Sequence, residues 1–253
     1  MSRYIAFVKK EFMENTRNYR LLIMLALFLI FGMMNPLSAR FMPELMASLA
    51  PDLQIVIPEP SAVDSWIQFY QNVSQLGFSI MLILFSSCLS NECAKGTLVI
   101  ILTKGLPRPT VVLSKFFVAT AIMTASYWMC FGVTYGYTTY LWPGTSLPHT
   151  LFAAIALWII GILYLSILIL GCVIFRQAFT SIVFLLAVTV VMSLSTIPTQ
   201  IARYSPMVLA SRNVDLLSGT AAVSEFTIPI IIALILSVGF LLAAISVFNK
   251  KQV

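Results

Sequence analysis

The sequence predicts an all-α polytopic membrane protein, one integral domain over residues 1–253, and three observations predict it. Of 253 residues, 60% are hydrophobic and only 9% are charged, more apolar surface than a soluble core absorbs. The charges stand between long apolar runs rather than inside them. Those runs are continuous instead of alternating with period two, which selects helices over barrel strands, the two structures that satisfy their backbone in hydrocarbon.

The first 20 residues are basic and helically ordered. Tyr4, Ile5, Val8 and Phe12 recur on one face, with Lys9, Lys10, Glu14 and Arg17 largely elsewhere, the pattern of an interfacial helix lying on the inner leaflet. A cleaved signal peptide is loosely imitated by Leu21 to Phe31 and the small pair Ser48 and Ala50. The charged lead is too long for it.

A hydrocarbon layer of about 30 Å takes about 20 helical residues to cross. Six segments qualify: Leu21 to Ala39, Trp66 to Leu89, Val111 to Leu141, Leu151 to Phe175, Ala178 to Ile197 and Ile228 to Phe248. Between the first two, Arg40 to Ser65 carries Pro43, Pro51, Pro58 and Pro60, so an irregular or briefly helical outer loop is expected. Arg176 and Gln177 alone separate the fourth and fifth, which forces a tight antiparallel hairpin. After the fifth, Ile201 to Leu217 is partly apolar and is expected to dip back as short helices. No internal repeat suggests an inverted-repeat transporter.

Lysine and arginine set the orientation. With both termini inside, Arg3, Lys9, Lys10, Arg17, Arg20, Lys95, Lys104, Arg108, Lys115, Arg176, Lys250 and Lys251 are cytosolic and only Arg40, Arg203 and Arg212 lie outside, a positive-inside distribution. Glu44, Asp52, Glu59 and Asp64 crowd the first outer loop. The net charge of +6 therefore reflects topology rather than nucleic-acid affinity.

Chemistry is sought first between the second and third spans, in the loop at 92–110. There Gly96 is suited to end one helix in a left-handed residue, Thr97 to cap the next, and Leu98 to Lys104 to make about two turns before Gly105 and Pro107 stop them. The loop reads as a cytosolic lever, with Glu92 and Arg108 at its ends as docking or salt-bridge residues. Inside the spans, Gln68, Asn72, Gln75, Ser79, Ser86 and Ser90 recur at three- and four-residue spacing, and Thr189, Ser193 and Thr196 form a second stripe. Each row is either a polar path or hydrogen-bond glue between helices. The third span carries a comparable row in Thr120, Thr124, Tyr127, Thr134 and Thr138.

Absences narrow the energy source. No carboxylate lies well inside a span, as ion-coupled carriers need, and Glu92 and Lys115 sit at span ends from which long side chains snorkel to headgroup water. No Gly-x-x-x-x-Gly-Lys-Ser/Thr loop cradles a nucleotide. Enzyme chemistry has little footing, since the lone His149, near Ser146, lacks the context of a nucleophile and its base. Cys88, Cys93, Cys130 and Cys172 have neither disulfide nor zinc spacing, and no catalytic residue, metal site or directly bound cofactor is expected.

The Lys9-Lys10-Glu11 amphipathic start, the six spans, Glu92-x-x-x-Gly96-Thr97, then Leu98 with Thr103-Lys104-x-x-Pro107-Arg108 and Lys115, resemble the permease subunits of ABC-2-type ATP-binding cassette transporters. The short Phe175-Arg176 hairpin and Tyr204-Ser205-Pro206 agree with that resemblance, which covers essentially the whole chain. It implies an elbow helix, a coupling helix docking on a cytosolic ATPase subunit that carries ATP and magnesium, and re-entrant outer helices. It also implies a second copy or a paralogous permease, with the substrate path between the two near their second and fifth spans. The expected function is export of an amphiphilic substrate, a drug, an antimicrobial peptide or a lipid-like molecule, from a prokaryotic cytoplasm across the plasma membrane. The alternative is a non-transporting sensor or assembly subunit, copper-associated permeases included, that uses the same ATPase.

The topology is open to direct labelling. In a cysteine-free background, single cysteines at Ser61, Ser146 and Ser218 should react with an impermeant maleimide on intact cells, and those at Ser2, Thr103 and Gln252 should not. Reversed labelling would refute the orientation.

Overall fold

A computed structural model of the protein describes residues 3–49, 59–94, 107–145, 147–197 and 202–250, and most of these are helical, with no strand among them. The chain runs through α1 (Arg3–Arg17), α2 (Arg20–Leu49), α3 (Ala62–Asn72), a π-helical turn (Val73–Gly77), α4 (Phe78–Ala94), α5 (Arg108–Leu141), α6 (Thr150–Phe175), α7 (Ala178–Leu194), the short α8 (Val208–Ser211) and α9 (Asn213–Leu217), and α10 (Val223–Lys250). Arg20–Met42 within α2, together with α5, α6 and α10, are four helices long and apolar enough to cross a bilayer. α7 is apolar but shorter, at 17 residues. α3, the π turn and α4 form one continuous rod, because Val73 and Phe78 at the joints keep right-handed helical dihedrals.

Packing radiates from α6. Of its most apolar stretch 72% is buried, against 17% for α10, so α6 is the core and α10 a flank. Small residues explain how so many neighbours reach it: Ala153, Ala154, Ala156, Gly161 and Gly171 are all buried, and small side chains let backbones approach in membranes. At Gly171 a Cβ would stand 3.1 Å from the Ser181 carbonyl oxygen, which closes the α6–α7 hairpin tightly. Arg176 makes the turn in the left-handed region, at φ 57°.

The first span extends beyond the end expected for it. α2 runs through Pro36 and on past Ala39 and Pro43 to Leu49, so the first ten residues of the segment expected to be irregular or briefly helical are helix. Within the expected span, a neighbouring helix keeps α2 whole at Pro36. Proline has no N–H for the carbonyl four residues back, that of Gly32, and the Thr134 hydroxyl of α5 donates to this carbonyl at 3.2 Å. The Asn35 amide in turn donates to Thr134 Oγ1 at 3.4 Å, and the Asn72 amide to Asn35 Oδ1 at 2.8 Å. A relay of polar groups thus replaces the missing backbone bond and binds α2, α3 and α5 together. Gly32 allows the approach, since a Cβ there would meet the Cys130 carbonyl at 3.0 Å.

Aromatic rings complete the α3–α5 contact. Trp66 and Phe69 pack edge to face at 5.4 Å, Phe69 meets Tyr127 at 5.9 Å, and Trp66 meets Phe131 at 5.3 Å, geometries that ring quadrupoles favour. Tyr127 then donates to the Ala154 carbonyl of α6 at 2.7 Å. Where short helices were expected to dip back after the fifth span, α8 and α9 lie against α6 with Leu209, Leu216 and Leu217 buried.

The relay at Pro36 is testable by a double-mutant cycle. Thr134→Val should lower resistance to sodium dodecyl sulfate unfolding by about 1–2 kcal/mol, because it leaves the Gly32 carbonyl unpaired. Pro36→Ala restores an N–H for that carbonyl, so in its background Thr134→Val should cost measurably less. Equal costs in both backgrounds would sink this account of α2.

Candidate functional site

The lever segment begins where α4 ends and stops where α5 begins, and that end of the bundle is tied by polar side chains. α1 turns Phe7, Glu11 and Asn15 inward at intervals of four, all buried. Tyr4, Ile5 and Phe12 are exposed and Val8 is half-buried, so the apolar face read from the sequence is largely not the one that packs on the bundle. Tyr19, at φ 58°, turns the chain between α1 and α2.

Glu11 is the centre of the tie. Its Oε2 lies 2.9 Å from Lys115 Nζ of α5, with both side chains almost wholly buried, and its Oε1 lies 3.0 Å from Lys10 Nζ. Lys10 also reaches Glu14 at 2.8 Å. Lys115 was expected to snorkel to headgroup water. It does not, because α1 folds over it and brings a carboxylate. A buried pair adds little net stability, but removing one partner strands the other charge. The pair therefore fixes where α1 sits on α5.

Two arginines extend the tie. Arg20 of α2 donates from Nη1 to Asn15 Oδ1 at 3.4 Å and from Nη2 to the Ser87 hydroxyl of α4 at 2.8 Å. Arg108, the first residue of α5, donates from Nη1 to the Phe248 and Asn249 carbonyls at 3.1 and 2.8 Å. Those are among the last carbonyls of α10, which have no partner within their own helix. Helices α1, α2, α4, α5 and α10 thus meet around the two ends of the lever segment.

Of the residues assigned to coupling, Arg108 is engaged on α10, and Glu92 falls on the last turn of α4. Gly96, Thr97, Leu98 and Lys104 lie outside the described residues. Glu11 entered the sequence reading only as part of the Lys9-Lys10-Glu11 start, with no partner assigned. The signal that finds it is Lys115 itself, a lone cation between Val111 and Ala119, which needs an anion if it is buried.

The polar rows divide. Asn72 is half-buried and spent on the Asn35 relay. Gln68 is half-buried, and Gln75 and Ser79 are exposed, with the Ser79 hydroxyl donating to its own Gln75 carbonyl. Thr189 on α7 and Thr196 in the turn just after it donate to the Leu186 and Ser193 carbonyls at 2.9 and 2.6 Å, and Ser193 is exposed. α4 packs beside α7, so the two rows stand on neighbouring helices. Around them the outward face is apolar, with Leu76, Ile83, Leu186, Val190 and Val191 more than half exposed. At the opposite end, Arg212 holds Asp215 at 2.9 Å and Glu225 at 3.2 Å. The Asp215 hydrogen bond, helped by Glu225, raises the guanidinium above its ordinary range.

No protein-family model matches the chain. Over 184 residues, 70% of each chain, it is 24% identical to the uncharacterized transmembrane protein YxlG of Bacillus subtilis (strain 168). That similarity and the long apolar helices agree on a multi-pass transmembrane protein.

The buried pair gives a stability prediction. Lys115→Met alone should destabilise the detergent-purified protein by about 3 kcal/mol, the low end for a broken buried pair because Lys10 still holds one Glu11 oxygen. Adding Glu11→Leu removes the stranded charge and should restore most of the loss. Thermal unfolding followed by size-exclusion chromatography reads both, and a double variant as unstable as the single one would overturn the assignment.

Proposed function

We propose that the chain is the membrane-spanning permease subunit of an ATP-binding cassette exporter, driven by a separate cytosolic ATPase and moving an amphiphilic substrate outward. In this reading the Ala62–Ala94 rod and α7 count as crossings, which makes six, with both termini in the cytoplasm of a prokaryote. The observation that carries it is the tie around the lever segment. A force applied between residues 94 and 107 passes directly to α4 and α5, and through Glu11–Lys115, Arg20–Ser87 and Arg108 to α1, α2 and α10. Closure of an ATPase dimer against that segment would rock these helices together, a nucleotide-biased shift between inward- and outward-facing states. Glu92, Gly96, Thr97, Leu98 and Lys104 are assigned to docking, and Arg108 to transmission.

The outward polar row supports a second membrane subunit. Gln75 and Ser79, with half-buried Gln68 in line with them, stand on a face of the rod that the other described residues leave open, and a glutamine amide in contact with lipid tails has no hydrogen-bond partner. A second copy or paralogue opposite these residues, and opposite Ser193 on α7, would supply partners and enclose the path.

Purification should bring down a nucleotide-hydrolysing subunit, and reconstituted transport should need ATP and survive an ionophore. Gly96→Val and Glu92→Ala should still insert and assemble, yet hydrolyse ATP with transport reduced severalfold. Transport by the isolated chain on a pH gradient, or parental rates in both variants, would refute this function.

A further inference from the structure

A cavity of about 480 Å³ opens between the first turns of α3, the last turns of α5 and the start of α6, at the end of the bundle away from the lever segment. Its size is that of a small-molecule pocket. Trp66, Phe131, Tyr135, Thr138, Thr139 and His149 contribute to its wall. Trp66 is 2% exposed and forms the floor, while Tyr135, 53% exposed, forms the rim. The three rings lie together: Trp66 is 5.3 Å from Phe131 and 6.5 Å from Tyr135, and Phe131 stacks on Tyr135 at 6.2 Å with 20° between planes.

Three hydroxyls beside the rings are hydrogen-bonded within the protein. Thr138 shares a hydrogen bond with Ser65 at 2.7 Å, Thr139 donates to the Tyr135 and Gly136 carbonyls at 2.9 Å, and Thr150 donates to Leu147 at 3.1 Å. Among the described residues, no lysine, arginine, aspartate or glutamate lines the cavity. An anion entering it finds no cation. A primary ammonium would have to give up water with no carboxylate to replace it. A quaternary ammonium has no N–H to satisfy, holds its water loosely, and is attracted by the faces of Trp, Tyr and Phe rings.

Position along the helices sets the rest of the ligand. The Trp142 indole donates to the Pro60 carbonyl at 2.8 Å just past the end of α5, where an amphipathic ring marks the polar boundary of a bilayer. The cavity reaches from the loop at that level, where Thr145 and His149 line it, inward to Phe131, about three turns deeper, and Leu151, 57% exposed, stands on its wall, so a hydrocarbon tail has an apolar exit toward lipid. We infer that this cavity binds the quaternary ammonium head of an amphiphile, either a choline-type lipid headgroup or a free alkyl-trimethylammonium compound. None of its residues belongs to the tie around the lever segment, so the site stands or falls independently of the ATP-driven reading.

The probe is an alkyl-trimethylammonium compound carrying a photoactivatable group beside the head. It is applied at pH 8 to the full chain in nanodiscs of phosphatidylethanolamine and phosphatidylglycerol, and labelled peptides are mapped by mass spectrometry. Labelling should concentrate in residues 131–151 and be displaced by dodecyltrimethylammonium, but not by dodecyl sulfate or dodecyl maltoside at the same concentration. Tyr135→Ala should weaken apparent affinity by about tenfold, the size of a desolvated cation–ring contact. Tyr135→Phe should keep it. Thr139→Phe, at an exposed position on the wall, should abolish labelling by filling the space while the rings remain. Discs containing phosphatidylcholine separate the sources: competition there identifies the lipid headgroup, and none identifies the free amphiphile as the occupant. Uniform labelling of the lipid-facing helices, equal displacement by dodecyl sulfate, or parental affinity in both Tyr135→Ala and Thr139→Phe would overturn the site.

Discussion

The constraint on which the rest of this structure depends is that hydrocarbon supplies no hydrogen bonds. A proline in a soluble helix releases a carbonyl to water. Pro36 has no water, and the Gly32 carbonyl it releases is taken by Thr134, whose oxygen accepts from Asn35, whose own oxygen accepts from Asn72. Each member is polar because the previous one had to be satisfied. One imino acid in α2 thus accounts for a threonine in α5 and an asparagine in α3, and for the close crossing that Gly32 permits.

The same scarcity explains the ionic end. Lys115 stands two turns into α5, where it either bends toward headgroups or acquires a counter-charge. α1 supplies one in Glu11, and Phe7 and Asn15 follow onto the same buried stripe because they share its helical face. The apolar residues Tyr4, Ile5 and Phe12 are then left outward. Packing of α1 is decided by one charge rather than by its most hydrophobic face, since a stranded ammonium costs more than a few exposed apolar side chains.

This also accounts for what the sequence disclosed. The long apolar runs of α5, α6 and α10 and the two-residue hairpin at Arg176 were legible, because composition and length decide them. The length of α2 beyond Ala39 was left open, because Pro43 was read as a breaker, and the partner that keeps the helix whole at Pro36 was invisible, because the Thr134 hydroxyl arrives from a residue about a hundred positions away. The row containing Asn72 was read with two meanings, and geometry assigns Asn72 to glue while Gln75 and Ser79 on the same row face outward. Periodicity places residues on a face but says nothing of what lies opposite. Glu11 was named only within the Lys9-Lys10-Glu11 start, because sequence carries no distances, and its 2.9 Å approach to Lys115 is what makes it singular.

Where the polar links lie also limits how the chain can move. A bond among buried polar groups is expensive to break with no water to replace it, so α2, α3 and α5, joined by the Asn72–Asn35–Thr134 relay, must travel as one body, and Glu11 carries α1 with them. Between α6 and α7 the join is backbone against backbone at Gly171 and Ser181, which resists sliding but not rotation. What remains adjustable is the set of joints: Tyr19, His149 and Arg176 in left-handed conformations, and the π turn at Val73–Gly77, where the rod carrying Gln68, Gln75 and Ser79 is already wound off the α-helical register. Change at the π turn re-aims the lower half of the outward face relative to the upper half without touching the relay at Asn72. A protein that had to open one polar face while keeping its buried hydrogen bonds intact would place its irregular turn there.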